Sequence, residues 1–296
     1  MTFHSGFVAL VGRPNVGKST LLNQVVGTKV SIVSDRPQTT RTQIRGVRTT
    51  DETQLVFLDT PGVHKPRTLL GERANGRALS TLNEVDVVCF VTEASAAIGP
   101  GDRFIAERLA AVETPVVAVS NKVDLASPPA IAEALRGLAE LGDFAAYVPL
   151  SARTGDGVDR LIGELEARIP EGPQYYPPGM THDQPESFLA AELVREKLLA
   201  VARDELSHSI AVTTEEAEMR TTSQGPLLAL RVVIRVERDS QKGIVIGHKG
   251  AVLKRAGTEA RLELEALLGT RVHLETIVKV DPDWQRRAHS LDRLGL

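Results

Sequence analysis

Five short apolar runs punctuate the first 170 residues: Phe7–Val11, Leu55–Leu58, Val85–Val91, Val116–Ser120 and Ala146–Leu150. The last four are bounded by polar or turn residues, as strands buried on both faces are. Between the runs, apolar positions recur at helical spacing over Arg103–Val112, Ala130–Leu141 and Val158–Ile169. Strand and helix in alternation predict an α/β domain with a mainly parallel sheet and helices on both faces.

The pattern then breaks. Pro170, Pro173, Pro177, Pro178 and Pro185 fall within eighteen residues, with Gly172 and Gly179 among them. Such a stretch cannot continue a helix and reads as a semi-rigid linker over 171–187. Beyond it the order changes to α-β-β-α-α-β, that of a smaller α+β domain over 188–296. Ser187 is placed to cap a helix from about Phe188 to Leu206. Leu228–Val236 alternates cleanly, with Arg231 and Arg235 on the polar face, as a half-buried strand does. Ile244–Ile246 leads into Gly247-His248-Lys249-Gly250. A helix over Ala251–Leu268 follows, stopped by Gly269, and Val272–Val280 alternates as a last strand.

Composition narrows the class without changing this picture. At 296 residues, 42% hydrophobic and 25% charged, the chain is long enough for two domains, each with its own core. The lone Cys89 excludes an intrachain disulfide framework and a cysteine-based zinc site. It sits in the run Val87–Val91 and reads as a small core residue. No run approaches the roughly 18 apolar residues that span a bilayer. Met1–Gly6 lacks a basic leader, so the expected address is cytoplasmic. The net charge of −3 hides an asymmetry: Arg231–Arg261 holds eight Lys/Arg against Glu237, Asp239 and Glu259, a local sum of +5. A patch of that sign suits a polyanion.

Gly12-Arg13-Pro14-Asn15-Val16-Gly17-Lys18-Ser19 has the spacing G-x-x-x-x-G-K-[ST] between a strand and a helix, with Thr20 next in line. Glycines let backbone N–H groups curl around phosphates, and the helix N-terminus adds positive potential. Lys18 reaches the β- and γ-phosphates and the Ser19 hydroxyl suits Mg²⁺. Asn121-Lys122-Val123-Asp124 follows the strand Val116–Ser120 and so lies at the same sheet edge. The Asp124 carboxylate accepts from both N1–H and the 2-amino group of guanine, whereas adenine leaves it unpaired. The Lys122 stem lies across the base and Asn121 braces the phosphate loop. Asp59-Thr60-Pro61-Gly62 ends another strand, offering Asp59 to Mg²⁺ and the Gly62 amide to the γ-phosphate. Ser151-Ala152 offers a backbone N–H to guanine O6. In Gln38-Thr39-Thr40-Arg41, one threonine closes the Mg²⁺ shell, Thr40 in preference to Thr39.

These five elements, in order, resemble the small GTPase superfamily, and the loop G-x-P-N-V-G-K-S resembles its bacterial translation-related branch. Signalling members place a water-orienting glutamine where Val63 stands, so slow intrinsic hydrolysis of GTP to GDP is expected. In relatives of this branch the residue matching Asn15 helps hold a potassium ion, which implies K⁺ beside Mg²⁺ and assigns the chemical step to Lys18, Thr40, Gly62 and Asn15. Ile246-Gly247-His248-Lys249-Gly250 resembles the core of KH domains, in which two glycines admit a sugar-phosphate chain. Lys242, Lys249, Lys254 and Arg255 are the expected phosphate contacts.

A GTPase domain, a proline-rich linker and a C-terminal type II KH domain together resemble the Era GTPases over nearly the whole chain. That resemblance implies binding of the 3′ end of small-subunit ribosomal RNA and a part in maturing that subunit. It also implies a cytoplasmic monomer that associates at times with the inner membrane. Three other readings stay open. Nucleotide is structural in an RNA-binding assembly factor, which turnover with RNA present separates. A P-loop ATPase or kinase would prefer ATP. A signalling GTPase with a peptide-binding tail would not hold RNA. Trp284 stacks on a base or packs on its own domain, packing being the expectation.

Overall fold

The computed structural model describes residues 2–36, 39–63, 66, 68–201 and 209–296. It divides into two compact units, the first being Met1–Ser31, Gln38–Arg67 and Gly71–Asp183, the second Ile32–Pro37, Thr68–Leu70 and Gln184–Leu296.

The first unit is built on β1 (His4–Val11), β2 (Ile44–Thr49), β3 (Thr53–Asp59), β4 (Val87–Glu93), β5 (Val116–Asn121) and β6 (Ala146–Pro149), in the order β2-β3-β1-β4-β5-β6. All neighbours are parallel except β2, which runs antiparallel to β3. Helices α1 (Lys18–Val26), α2 (Leu69–Ser80), α3 (Pro100–Leu109) and α4 (Pro128–Leu141) connect strands, and α5 (Val158–Glu166) follows β6. β5 is buried along its whole length and β4 up to Thr92, which is why they read as continuous apolar runs. Cys89 is fully buried among them, as expected, and burial pushes its thiol up to about 12. Because β3 and β4 flank β1 on opposite sides, the connections diverge above its carboxyl end, where doubly wound sheets bind ligands.

Capping chemistry moved several boundaries. α3 starts at Pro100 rather than Arg103, because Asp102 reaches back to accept the Gly99 N–H at 2.9 Å. Ser187 does not cap the sixth helix, α6 (Glu186–Val201); it lies inside the first turn. The Pro185 carbonyl accepts the Phe188 and Leu189 N–H groups instead, and the expected end at Leu206 lies outside the described residues. The proline-rich stretch is not a free tether up to 183. Backbone bridges join His4 to Glu171 and Gly46 to His182, and the buried Gln54 side chain accepts the Tyr175 and Tyr176 N–H groups at 2.8 and 3.0 Å.

The second unit adds to α6 the elements β7 (Ala211–Thr222), β8 (Gly225–Val236), α7 (Asp239–Ile246), α8 (Ala251–Leu268), β9 (Arg271–Val280) and α9 (Ala288–Leu294). Its sheet runs β7-β8-β9, the first pair antiparallel and the second parallel. Leu228, Leu230, Val232 and Ile234 of β8 meet Leu189, Leu193 and Val194 of α6 and Ala256, Ala260 and Leu264 of α8 in one core. The helix spacing i, i+4, i+8 puts those three α8 side chains on one face. Trp284 is fully buried, its indole N–H donating to the Ser209 carbonyl at 3.1 Å, so it packs rather than projects. Among the described residues no helix is long and apolar enough to cross a membrane.

Candidate functional site

The loop Gly12–Ser19 turns from the carboxyl end of β1 into α1. Gly17 caps the helix in the left-handed conformation, and Asn15 is left-handed as well. Val16 is buried, anchoring the loop. Lys18 is 6% exposed, and its ammonium donates to the Gly12 and Arg13 carbonyls at 3.1 and 3.0 Å. Burial lowers its pKa to about 8, against the opposing pull of Asp59. Gly62 follows β3 and comes so close to the loop that a Cβ there would lie 2.7 Å from the Pro14 nitrogen. The Thr60 hydroxyl donates to the Leu10 carbonyl at 2.8 Å, holding the segment with Pro61 against β1. Val63 is buried in the core with Val11 and Leu58, so the side chain directly after Gly62 is packed inside and cannot orient a water.

Asp59 is fully buried at the end of β3. Three hydroxyls donate to its Oδ2: Ser19 at 2.7 Å, Ser31 at 3.0 Å and Thr40 at 3.2 Å. The Ser19 and Thr40 hydroxyls lie 3.0 Å apart, so it is Thr40 that the fold brings to the cluster; Gln38 lies outside the described residues. Asp59 Oδ1 is buried with no partner among the described residues. Burial holds the Asp59 carboxyl above its usual range, with Lys18 and the hydroxyls pulling the other way. An unpartnered carboxylate oxygen amid hydroxyl oxygens is a hard-donor set that fits Mg²⁺. Ser31 has no signature in the motif spacing, and sequence reasoning missed it.

At the other end of the crevice Asn121 ties three segments together. Its Nδ2 donates to the Val16 carbonyl at 2.8 Å, and its Oδ1 accepts the Ala152 N–H at 2.9 Å and the Lys122 N–H at 2.7 Å. Lys122, left-handed, pairs with Glu93 at 2.9 Å. Asp124 accepts the Ser151 hydroxyl at 2.7 Å and pairs through its other oxygen with Arg153 at 2.6 Å. The Ser151 bond leads in holding its carboxyl below the usual range, with Arg153 adding to it. Arg153 was not among the expected residues. A cation directly after Ser151-Ala152 was the available signal.

In the second unit, Ile246 ends α7 and Gly247–Gly250 turns into α8. Gly247, Lys249 and Gly250 all have positive φ. A Cβ on Gly247 would meet Val252 Cγ2 at 2.4 Å, whereas the space over Gly250 is open. His248, Lys249 and Lys254 are exposed and Lys242 is half-buried on the preceding helix. The basic patch divides. Arg231 pairs with Glu216 and Glu275, Arg235 with Glu215, Arg255 with Glu259 and Arg261 with Glu265. Arg238, Lys242, Lys249 and Lys254 have no ion pair among the described residues, and the last three flank the glycine turn. The local excess of charge is thus concentrated at the loop and absent from the β8 face.

Comparison with known proteins fits this geometry. The family model described as "50S ribosome-binding GTPase" matches residues 7–122 and that of the KH domain matches 205–285. The GTPase Era of Nocardioides sp. is 53% identical, covering 98% of this chain and 96% of that one. The GTPase Era of Mycobacterium sp. strain JLS is 50% identical over 99% of both chains. A crystal structure of an Aquifex aeolicus Era variant bound to GDP and AlF4⁻ superposes with a TM-score of 0.94 at 39% identity, covering 99% of each chain. Era in complex with MgGDPNP and nucleotides 1506–1542 of 16S ribosomal RNA gives 0.93 at the same identity and coverage. On its two domains and its likeness to these relatives over nearly its full length, the chain belongs to the Era family of GTPases.

Proposed function

We propose that the protein hydrolyses GTP to GDP as a switch that loads and releases its KH domain on the 3′ end region of small-subunit ribosomal RNA, in the cytoplasm, during maturation of that subunit. One observation carries this reading: the residues of a guanine-nucleotide crevice and a cation-flanked glycine turn lie in one chain, and that chain superposes over 99% of its length on the relative crystallised with MgGDPNP and 16S ribosomal RNA.

The backbone amides of Gly12–Thr20 hold the α- and β-phosphates, and Lys18 spans β and γ. Ser19, Thr40 and Asp59 hold Mg²⁺, with Ser31 orienting Asp59. When bound, Mg²⁺ neutralises charge on the β- and γ-phosphates. Asp124 reads the base edge and the Lys122 stem covers the ring, whereas the Ser151 and Ala152 N–H groups expected to meet guanine O6 are held by the Asp156 carbonyl and by Asn121 Oδ1. Gly62 N–H donates to the γ-phosphate, placing the switch contact two residues from the buried Thr60. Because Val63 is core, no glutamine aligns the attacking water. Asn15 supplies the one carboxamide of the loop, the oxygen donor that a potassium ion would use beside the phosphates. In the KH domain the RNA backbone passes over Gly250, with Lys249, Lys254 and Lys242 on its phosphates and Ile246 against a base.

Fluorescence anisotropy of the full chain with a labelled RNA carrying the 3′-terminal segment of small-subunit ribosomal RNA tests this, with a GTP analogue bound. Tight binding over a scrambled RNA of equal length is expected. Equal affinity for the two would overturn the RNA assignment.

A further inference from the structure

The phosphate-loop arginine has a partner that the nucleotide chemistry does not require. Asp102, the third residue of α3, is fully buried. One carboxylate oxygen caps its own helix at Gly99 N–H; the other accepts Arg13 Nε at 2.7 Å. A cap needs only one acceptor oxygen and no charge. The second oxygen reaches across 89 positions of sequence to the loop between β1 and α1. The Arg13 stem is seated over Gly101, where a Cβ would stand 2.7 Å from its Cδ.

Arg13 matters to the site through its main chain, because its carbonyl is one of the two that hold the Lys18 ammonium. It also adds to the charges around Glu93. Burial pushes that carboxyl up, but the Ser95 and Lys122 hydrogen bonds, with Lys122 and Arg13 charge, outweigh it and hold it below its usual range. Glu93 in turn holds Lys122 at 2.9 Å. Alternating charges Asp102, Arg13, Glu93 and Lys122 thus run from the start of α3 through the phosphate loop to the lysine of the base-binding segment. Two glycines leave the loop free to sample many conformations when empty, and ordering it on binding would subtract from affinity.

We propose that Asp102 is a positioning residue of the nucleotide site. By fixing Arg13 it orders the phosphate loop before nucleotide arrives and so sets how long guanine nucleotide stays bound. This rests on the nucleotide half of the reading above. Arg13 and Asp102 touch neither the γ-phosphate nor the attacking water in that reading, so the effect falls on binding of GDP and GTP alike and not on the chemical step.

The test is release of a fluorescent GDP analogue from full-length wild type, Asp102→Asn, Arg13→Ala, Arg13→Lys and the Asp102→Asn/Arg13→Ala double variant. Steady-state GTP hydrolysis by Asp102→Asn accompanies it. Asparagine keeps the acceptor for Gly99 and loses the charge. Each of Asp102→Asn and Arg13→Ala is expected to release the analogue about tenfold faster, with the double variant no faster than either. Arg13→Lys stays within about threefold of wild type, and Asp102→Asn raises KM while kcat moves less than about twofold. Release rates within twofold of wild type for both single variants would overturn the proposal, as would multiplying effects in the double. A merely structural role lowers the melting temperature and leaves release unchanged. If Asp102→Asn does not fold, Arg13→Ala against Arg13→Lys decides, equal rates counting against the proposal. Failure of wild type to bind the analogue would instead sink the nucleotide reading itself.

Discussion

Asp124 stands with one oxygen on Ser151 and the other on Arg153, so both acceptors that guanine needs are already oriented. Exchanging this carboxylate for an amide removes an acceptor and adds a donor. Asp124→Asn is expected to weaken GTP by about 1–3 kcal/mol, the worth of a bidentate base contact, and to gain xanthosine triphosphate, whose 2-oxo group accepts from the amide. A competition titration showing unchanged guanine preference would refute the assignment. The buried Val63 motivates a second expectation. With a buried valine rather than a glutamine directly after Gly62, and Asn15 at the loop, kcat should be several-fold higher in potassium than in sodium at equal ionic strength. Equal rates would leave the site to be completed by a partner group, a contribution that reaches about 10³–10⁵-fold in kcat. Most of the crevice was legible at this scale because fixed spacings in G-x-x-x-x-G-K-S and N-K-x-D encode backbone turns. Ser31, Asp102 and Arg153 were not. Each reaches its partner through tertiary approach, 28, 89 and 29 positions away, and no local spacing records that.

Elements were legible where burial is two-sided and obscure where it is not. β5 is buried end to end and β4 up to Thr92, and both announced themselves as apolar runs. β2 lies at the sheet edge with Arg45 exposed, and much of β7 is exposed on both faces, so neither shows the expected alternation. The helix α9 is seven residues long and is fixed by packing Leu291 with Trp284, a contact with no period to read. Cys89 offers a test of the β4 assignment. Its thiol stays protonated in the fold to about 12 but ionises at about 9 when unfolded. The contribution is therefore complete below pH 9 and lost as pH rises from 9 toward 12, where only the unfolded chain can release the proton. Between pH 9 and 11, wild type should lose more stability in denaturant titrations than Cys89→Ala. Iodoacetamide at pH 8 should modify the thiol only at the rate of unfolding. Fast labelling of native protein would show β4 to be misplaced.

Across the whole molecule, two short segments fall with the second unit although the chain on both sides of each belongs to the first: Ile32–Pro37 and Thr68–Leu70. In the former, the Val33 N–H donates to Glu196 of α6 at 2.9 Å; from the latter, Leu70 joins the cluster of Trp284 and Leu291. Ser31 and Thr40 bracket the one, and Gly62 precedes the other by a few residues. In the proposed switch, a change of order around the γ-phosphate passes along these two stretches of chain. RNA affinity of wild type should therefore be higher with a non-hydrolysable GTP analogue than with GDP, by the 5–150-fold, about 1–3 kcal/mol, of real coupling. By reciprocity RNA must raise affinity for the analogue over GDP by the same factor. Gly250→Asp should lose RNA in both nucleotide states while keeping GDP, because aspartate at φ 79° is strained and its charge faces the phosphate path. Thr40→Ala should hold RNA equally weakly in both states, having lost the hydroxyl at the Asp59 cluster. Titrating RNA into all three proteins with each nucleotide supplies the six affinities. Identical wild-type values in the two states would replace the switch with an assembly factor whose nucleotide is structural. Undiminished binding by Gly250→Asp would move the RNA clamp away from Gly247–Gly250.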